Sequence, residues 1–204
     1  MSAILAAMSE LVLLRHGQST WNLENLFTGW VDVPLSTQGE VEAMEAGKTL
    51  GDRRFDVVFT STLRRACETA SLLLAEMTHP HVETVRAWEL NERFYGRLTG
   101  LNKDAAREEF GEDQVHIWRR SYDVSPPGGE SLADTAARSI PYFESEILPR
   151  VQGGERVLVS AHGNSLRSIV MQVDGLSTDE VLSLELATGD PRIYSWDGTS
   201  LVRV

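Results

Sequence analysis

The sequence lacks the features that mark several protein classes. Its 204 residues include one cysteine, Cys67, which excludes an intrachain disulfide framework and fits a reducing cytoplasm. No apolar run approaches the ~20 residues that a membrane helix needs. Basic residues are outnumbered, 19 to 30, and the net charge of −11 argues against general nucleic-acid or membrane-surface binding. We therefore expect a cytoplasmic protein that binds neither nucleic acid nor a membrane. In so acidic a chain, a local cluster of arginines would indicate a binding site.

The chain does contain short β-type runs that alternate with longer segments of helical period. We predict strands over residues 10–15, 55–61, 156–161 and 191–196, with a weaker candidate over 83–88. We predict helices over residues 36–51, 63–77, 131–149 (kinked at Pro141), 165–173 and 178–186. This alternation predicts an α/β fold, a three-layer α/β/α sandwich whose twisted, mostly parallel sheet has helices on both faces.

Residues 91–130 depart from the alternation, because they hold short helical pieces and no convincing strand. A long irregular segment inside a compact domain is usually a lid or a binding insertion, and we expect this segment to be one. The whole chain, 1–204, is predicted to form one domain. Residues 1–9 are interpreted as a leader to the first strand, with either Met1 or Met8 as the native start.

Two histidines occupy matching positions in the sequence. His16 and His162 each follow a predicted strand, and each is followed by glycine and a predicted helix start. Because ligands of open parallel sheets bind beyond the carboxyl ends of the strands, we expect the two imidazoles to converge. The stretches HGQST and HGNS are expected to offer backbone N–H groups to an anion.

Histidines beside an anion site indicate phosphate chemistry. A neutral imidazole is a competent nucleophile near neutral pH, and a phosphohistidine would divide one hard transfer into two easier ones. Arg15, with Arg64 or Arg65, would neutralise the phosphate oxygens. A metal site is not favoured, because the histidines lack helical ligand spacing and neither a thiolate pair nor an acidic triplet accompanies them.

Longer motifs carry a resemblance to a known family. LVLLRHGQSTWN, residues 11–22, resembles the RHG signature of the histidine phosphatase (phosphoglycerate mutase-like) superfamily. The stretches ERFYG, LTGLNK, WRRSYDVSPPGGESL and SAHGNSLRSIV are similar to its cofactor-dependent phosphoglycerate mutases, over about residues 11–194. The resemblance implies an isomerase of glycolysis and gluconeogenesis that interconverts 3-phosphoglycerate and 2-phosphoglycerate. It also implies a 2,3-bisphosphoglycerate primer, no metal, and a homo-oligomer, either a dimer or a tetramer.

The same resemblance implies roles for individual residues. His16 would be the nucleophile, Glu92 the general acid and base, and His162 a stabiliser of charge on the transferring phosphoryl group. Arg15 and Arg65 would hold that phosphate. Glu92 would need a pKa near the working pH, for which partial burial beside phosphate is expected. Substrate contacts are implied for Asn22, Thr28, Gly29, Arg93, Tyr95, Lys103, Arg119, Arg120, Gly163 and Asn164.

Three alternatives stay open at this point. A phosphatase on the same fold would keep the two histidines and the arginines beside them, but would not need the cations of the 91–130 segment. A bisphosphoglycerate mutase would use the same residues with a different partitioning. An anion-binding or scaffolding domain without activity would lack the nucleophile or the acid, and this sequence has both His16 and Glu92.

Overall fold

The computed structural model describes residues 9–204, so the predicted leader, apart from Ser9, and the choice of start codon lie outside the described residues. The strands are β1 (Glu10–Arg15), β2 (Val57–Thr60), β3 (Glu83–Arg86), β4 (Arg156–Ala161), β5 (Pro191–Trp196) and β6 (Leu201–Arg203). The helices are α1 (Thr20–Leu23), α2 (Thr37–Leu50), α3 (Arg64–Ala75), α4 (Lys103–Phe110), α5 (Glu112–Arg120), α6 (Leu132–Tyr142), α7 (Leu148–Gln152), α8 (Gly163–Asp174) and α9 (Thr178–Ser183). Short 3₁₀ turns span Trp88–Leu90 and Gly96–Leu98.

The strands form one sheet in the order β3-β2-β4-β1-β5-β6. The first four of these run parallel, whereas β5 is antiparallel to β1 and β6 is antiparallel to β5. Arg15 pairs with Ala161 and Thr60 with Ser160, so β1, β4 and β2 end at one level of the sheet. The predicted α/β fold with a mostly parallel sheet is confirmed. Strand β6 was not predicted, because three residues are too few to show a period.

The central strands are buried on both faces, which explains their unbroken aliphatic runs. Along β1, Leu11 and Leu13 pack into one hydrophobic cluster, while Val12 and Leu14 pack into a second cluster. Successive side chains of a strand point to opposite faces, so one run of four residues contributes to both helical layers. The layered arrangement follows from this alternation.

Two predicted helices illustrate what the sequence does and does not specify. Helix α2 begins after Ser36, whose side chain accepts a hydrogen bond from the Gly39 N–H, and it ends at Gly51, as predicted. The predicted helix over 131–149 is instead divided into α6, a π-helical turn over Phe143–Ile147, and α7. Pro141 lies inside α6 and has no N–H to donate, and the π turn begins two residues later at Phe143.

The 91–130 segment contains no strand among its residues, all of which the structure describes, and it carries helices α4 and α5. The segment has a small hydrophobic cluster that includes Phe27, Leu98, Ala106 and Val115. It is therefore a packed helical unit, more regular than the sequence indicated. None of the helices within residues 9–204 is long and apolar enough to cross a membrane.

Candidate active site

The candidate site lies where β1, β2 and β4 end. His16 follows β1 and His162 follows β4, and their ring centroids are 4.9 Å apart with an interplanar angle of 62°. Ser61 follows β2, and its hydroxyl shares a hydrogen bond of 2.7 Å with His162 Nε2. The structure therefore brings the two histidines together, as their positions after parallel strands predicted.

His16 is held in the tautomer that a nucleophile needs. Its Nδ1–H donates to the carbonyl of Gly17 at 2.6 Å, because a carbonyl oxygen can only accept. The lone pair is then on Nε2, which receives the Nε–H of Arg65 at 3.3 Å. Burial, with Arg65 and Arg15 nearby, lowers the pKa of His16 well below its usual value. His16 is therefore a neutral imidazole with its nucleophilic nitrogen directed towards an arginine.

Arg65 is a buried cation fixed by backbone carbonyls. Its two terminal nitrogens donate to the carbonyls of Val31 at 3.0 Å and Gly29 at 2.9 Å. Burial lowers the pKa of Arg65 to about 10, although Glu92 and Asp32 oppose the change. The guanidinium stays charged near neutral pH. By contrast, Arg64 is exposed and pairs with Glu68, so the structure selects Arg65 from the two candidates.

Arg15 and His162 complete this side of the site. Arg15 donates through Nη1 to the carbonyl of Leu186 at 2.8 Å, while its Nε is buried without a partner within residues 9–204. His162 is buried as well, and burial together with Arg65 and His16 lowers its pKa well below the usual value. Its Nε2 is engaged with Ser61, and its Nδ1 is buried without a hydrogen-bond partner within residues 9–204.

Glu92 is bound at the amino end of α8. Its Oε1 accepts hydrogen bonds from the N–H of Arg93 at 2.7 Å, and from the N–H and the Nδ2 of Asn164 at 3.2 and 2.8 Å. Burial raises the pKa of Glu92, but these hydrogen bonds, with Arg65 and Arg15, bring it below the usual value. Glu92 is therefore more buried than expected, and its lowered pKa favours the carboxylate; a pKa near the working pH with phosphate beside the carboxyl stays a prediction.

The predicted anion cradle of backbone N–H groups is also corrected. The N–H of Gly17 donates to Thr69 Oγ1 at 3.0 Å, and the N–H of Gln18 donates to Glu42 at 2.8 Å. The N–H groups of His16, Ser19 and Thr20 also have partners, so all five backbone donors of HGQST are used within the fold. In HGNS the helix amino end does receive an anion, but this anion is the protein's own Glu92. In HGQST, side chains are therefore left to bind phosphate, and in HGNS a backbone donor to phosphate would have to be other than the Asn164 N–H.

The far wall of the site comes from the 91–130 segment. Arg93 donates to the carbonyl of Trp118 at 3.0 Å and stacks on the Tyr95 ring at 4.9 Å. Lys103 and Arg119 each lie 6.0 Å from the Phe27 ring. Burial and neighbouring cations lower the pKa of Lys103. The 91–130 segment therefore adds positive charge to the pocket that His16 also lines.

These side chains enclose a pocket of about 220 Å³. Drug-sized ligands occupy pockets of about 300–1,000 Å³, so this one suits a small metabolite. Predicted residues that line it are Arg15, His16, Asn22, Thr28, Arg65, Glu92, Arg93, Tyr95, Lys103, Arg119, Arg120, Gly163 and Asn164. His162 and Gly29 do not line it: His162 contacts His16 edge-on, and the Gly29 carbonyl accepts a hydrogen bond from Arg65. The pocket has seven basic and two acidic side chains, which makes it an anion site in an acidic protein.

Sequence reasoning missed several lining residues, namely Leu26, Phe27, Arg167, Glu185 and Leu186. Arg167 could have been found, because it lies four residues after Gly163 and so on the same face of α8. Nothing in the sequence places Glu185 here. Ser61 could have been found, since it follows a strand as the two histidines do.

A further residue that the sequence did not reveal is Arg138 of α6, which supports the Glu92 segment. Its guanidinium donates to the carbonyls of Glu89 at 2.7 Å, Asn91 at 2.9 Å and Glu92 at 3.0 Å. It also forms two hydrogen bonds of 2.9 Å to the Glu130 carboxylate. The Nε1–H of Trp30 donates to the same Glu92 carbonyl. This network holds the backbone from which the Glu92 carboxylate projects.

Metal ligation is a separate question for the same residues. Within residues 9–204, no group of three or more histidine, cysteine, aspartate or glutamate side chains could hold a metal ion.

Comparison with known proteins gives consistent relatives. The sequence profile of the histidine phosphatase superfamily (branch 1) matches residues 11–202. A 2,3-bisphosphoglycerate-dependent phosphoglycerate mutase of Parvibaculum lavamentivorans is 60% identical over 189 residues, covering 92% of this chain and 90% of that protein. The enzyme of the same name from Rhizobium rhizogenes is 57% identical over 194 residues, covering 94% and 92%. A solved mycobacterial glucosyl-3-phosphoglycerate phosphatase, complexed with VO3, has a TM-score of 0.82 at 27% identity and covers 96% of each chain.

Proposed function

The chain belongs to the histidine phosphatase superfamily (branch 1), and from this membership and its site we propose that it interconverts 3-phosphoglycerate and 2-phosphoglycerate as a 2,3-bisphosphoglycerate-dependent phosphoglycerate mutase. One observation carries the proposal. His16 and Glu92, both with lowered pKa values, line the same pocket as Lys103 and Arg119 of the 91–130 segment. Transfer of a phosphate at His16 needs His16 and Glu92, and binding of a second anionic group on the substrate needs the cations of the 91–130 segment.

The phosphoryl donor 2,3-bisphosphoglycerate would supply the group that first charges His16. The site fits such a polyanion, because buried Arg15 Nε, Thr28 Oγ1 and Arg93 Nε have no hydrogen-bond partner within residues 9–204. Arg15 and Arg65 would hold the phosphate at His16, and the cations of the 91–130 segment would hold the remaining anionic groups.

The chain's own residues then perform two transfers. In the first, a substrate hydroxyl attacks the phosphorus on His16 while Glu92 takes the hydroxyl proton. The N–P bond breaks, and its electron pair returns to Nε2, where Arg65 donates. In the second, the lone pair of Nε2 attacks the other phosphate. The O–P bond breaks, and Glu92 returns the proton to the leaving oxygen. His162, Arg15 and Arg65 balance charge on the phosphoryl oxygens in both directions.

Water must be kept from the phosphohistidine while it waits for substrate. We infer that residues 91–130 form the lid that excludes it, since this helical unit supplies Lys103, Arg119 and Arg120 to the pocket. The lid belongs to a single catalytic domain in this proposal. We also propose a cytoplasmic location, which the free Cys67 and a metabolic substrate support, and a homodimer or homotetramer, which the family resemblance implies.

The competing function is that of a phosphatase. The solved relative in complex with VO3 is named a phosphatase. A coupled assay with 3-phosphoglycerate, with and without trace 2,3-bisphosphoglycerate, distinguishes the two by measuring both 2-phosphoglycerate and inorganic phosphate. We expect primer-dependent isomerisation with little phosphate release, and none with His16→Asn. Dominant phosphate release would refute the mutase and leave a phosphatase on the same site.

A further inference from the structure

A segment at the mouth of the pocket is held by three arginines. The carbonyls of Leu182, Leu184 and Leu186 accept hydrogen bonds from Arg120 at 3.2 Å, Arg167 at 2.8 Å and Arg15 at 2.8 Å. These arginines come from α5, α8 and β1, so three separate elements converge on one short stretch. The stretch of residues 182–186 is therefore fixed relative to the pocket.

Glu185 lies within this stretch and places a carboxylate among the pocket's cations. Its Oε1 is 2.8 Å from Arg120 Nη2, and its Oε2 is 3.5 Å from Arg167 Nη2. The Glu185 side chain is 68% exposed, whereas that of Arg167 is only 15% exposed. The carboxylate can turn into solvent at small cost, while the arginine cannot follow it.

Arg120 is consequently occupied in this state. Its Nη1 donates to Leu182 and its Nη2 donates to Glu185, although the family resemblance assigns Arg120 to the substrate. A ligand carboxylate or phosphate at the mouth of the pocket would bind Arg120, but Arg120 is already paired with the Glu185 carboxylate. The ligand must either displace Glu185 from Arg120 or bind beside Glu185 and be repelled by its negative charge.

We propose that Glu185 determines ligand affinity as a resident competitor, which the carboxylate or second phosphate of a phosphoglycerate displaces from Arg120 and Arg167. The proposal rests on the proposed function, because it concerns the anionic group at the end of the substrate remote from His16. Glu185 thereby lowers the affinity that the arginines alone would give, and it penalises most strongly those ligands with a second anionic group.

The test compares Glu185→Gln with Glu45→Gln. Glu45 is a matched control, since it is 62% exposed, is 2.8 Å from Lys48 and lies on α2, and the change alters net charge equally. Exposed ion pairs contribute about 0.2–1 kcal/mol, so Glu185→Gln should lower the dissociation constant of 3-phosphoglycerate by a factor of about 1.4 to 5. Titration calorimetry at low ionic strength measures it, and KM should fall in parallel.

Orthophosphate serves as the second probe because it has no remote anionic group. Its dissociation constant should change less than that of 3-phosphoglycerate in Glu185→Gln, and neither should change in Glu45→Gln. Weaker 3-phosphoglycerate binding would overturn the proposal and make Glu185 a positioning residue for Arg120. An equal decrease in the dissociation constants of both probes would also overturn the proposal, because it would show only that removing a negative charge near the pocket favours any anion. Mutase turnover of the wild type tests the proposed function separately. If the wild type showed no turnover, the dissociation constants of both probes could still be measured.

Discussion

The hydrogen bond from Asn164 to Glu92 should control the acid limb of the pH–rate profile. Glu92 Oε1 has three donors, and Asn164→Ala removes the side-chain donor at 2.8 Å while keeping the backbone N–H at 3.2 Å. A hydrogen bond to a charged group contributes about 1.5–3 kcal/mol. Its loss disfavours the carboxylate form of Glu92, so the pKa of this carboxyl rises. Since about 1.4 kcal/mol corresponds to one pH unit, the acid limb should move upward by about one to two pH units.

The assay is the ratio of kcat/KM between Asn164→Ala and the wild type, measured from about pH 8 to pH 5. The ratio cancels ionisation of the substrate phosphate, which titrates in the same range. Glu92 must be ionised to accept the hydroxyl proton, so the ratio should fall as the pH decreases. Tyr95→Phe is the control, because its hydroxyl accepts from Asn164 at 3.2 Å without touching the carboxylate. A ratio that stays constant with pH would refute the role given to this hydrogen bond.

Three further predictions concern the supporting structure. The pKa values of His16 and His162 are lowered in the folded state, so the unfolded chain binds more protons than the folded chain below about pH 6.5. In urea unfolding, the free energy of unfolding should therefore decrease as the pH falls below about 6.5, by up to about 1.4 kcal/mol per pH unit for each histidine. His162→Gln should reduce that slope, and an unchanged slope would contradict it. Gly17→Ala places a Cβ 2.2 Å from the Gly39 carbonyl oxygen and should destabilise the fold by about 3 kcal/mol, against about 1 kcal/mol or less for Gly153→Ala, where the nearest atom is 3.2 Å away. Equal thermal midpoints for the two variants would show that the close approach is relaxed. Arg138→Lys keeps the charge but loses the fork that holds three carbonyls, so kcat should fall about ten- to a hundred-fold with little change in KM, whereas Arg150→Lys on the surface should not change kcat. A parallel loss in both variants would refute the positioning role.

Local patterns predicted the fold well where burial dictates the pattern. The aliphatic runs of β1 and β4 are buried on both faces, and their bounds match the prediction residue for residue. Helix α2 was bounded correctly because Ser36 and Gly51 satisfy its ends. The π turn after Pro141 was missed, because the sequence shows where a helix loses a hydrogen bond but not how the chain adjusts.

The candidate site shows a similar division. His16 and His162 were found because each follows a strand that the sequence reveals. The hydrogen bonds that lower the pKa of Glu92 were not predicted, because its donors include Asn164, which is 72 residues away and brought close only by the fold. Glu185 and the carbonyl of Leu186 escaped notice for the same reason, since Arg15 and Leu186 are 171 residues apart. Contacts at such separations leave no local periodicity to read.

The fate of the phosphoryl group on His16 tests the central claim most directly. Enzyme charged with 2,3-bisphosphoglycerate labelled with ³²P would be separated from free label and then mixed with 3-phosphoglycerate or with buffer alone. The account predicts that 3-phosphoglycerate removes the label rapidly into phosphoglycerates, that buffer alone releases it slowly, and that His16→Asn takes up none. Label that leaves mainly as inorganic phosphate, at the same rate with and without 3-phosphoglycerate, would contradict it.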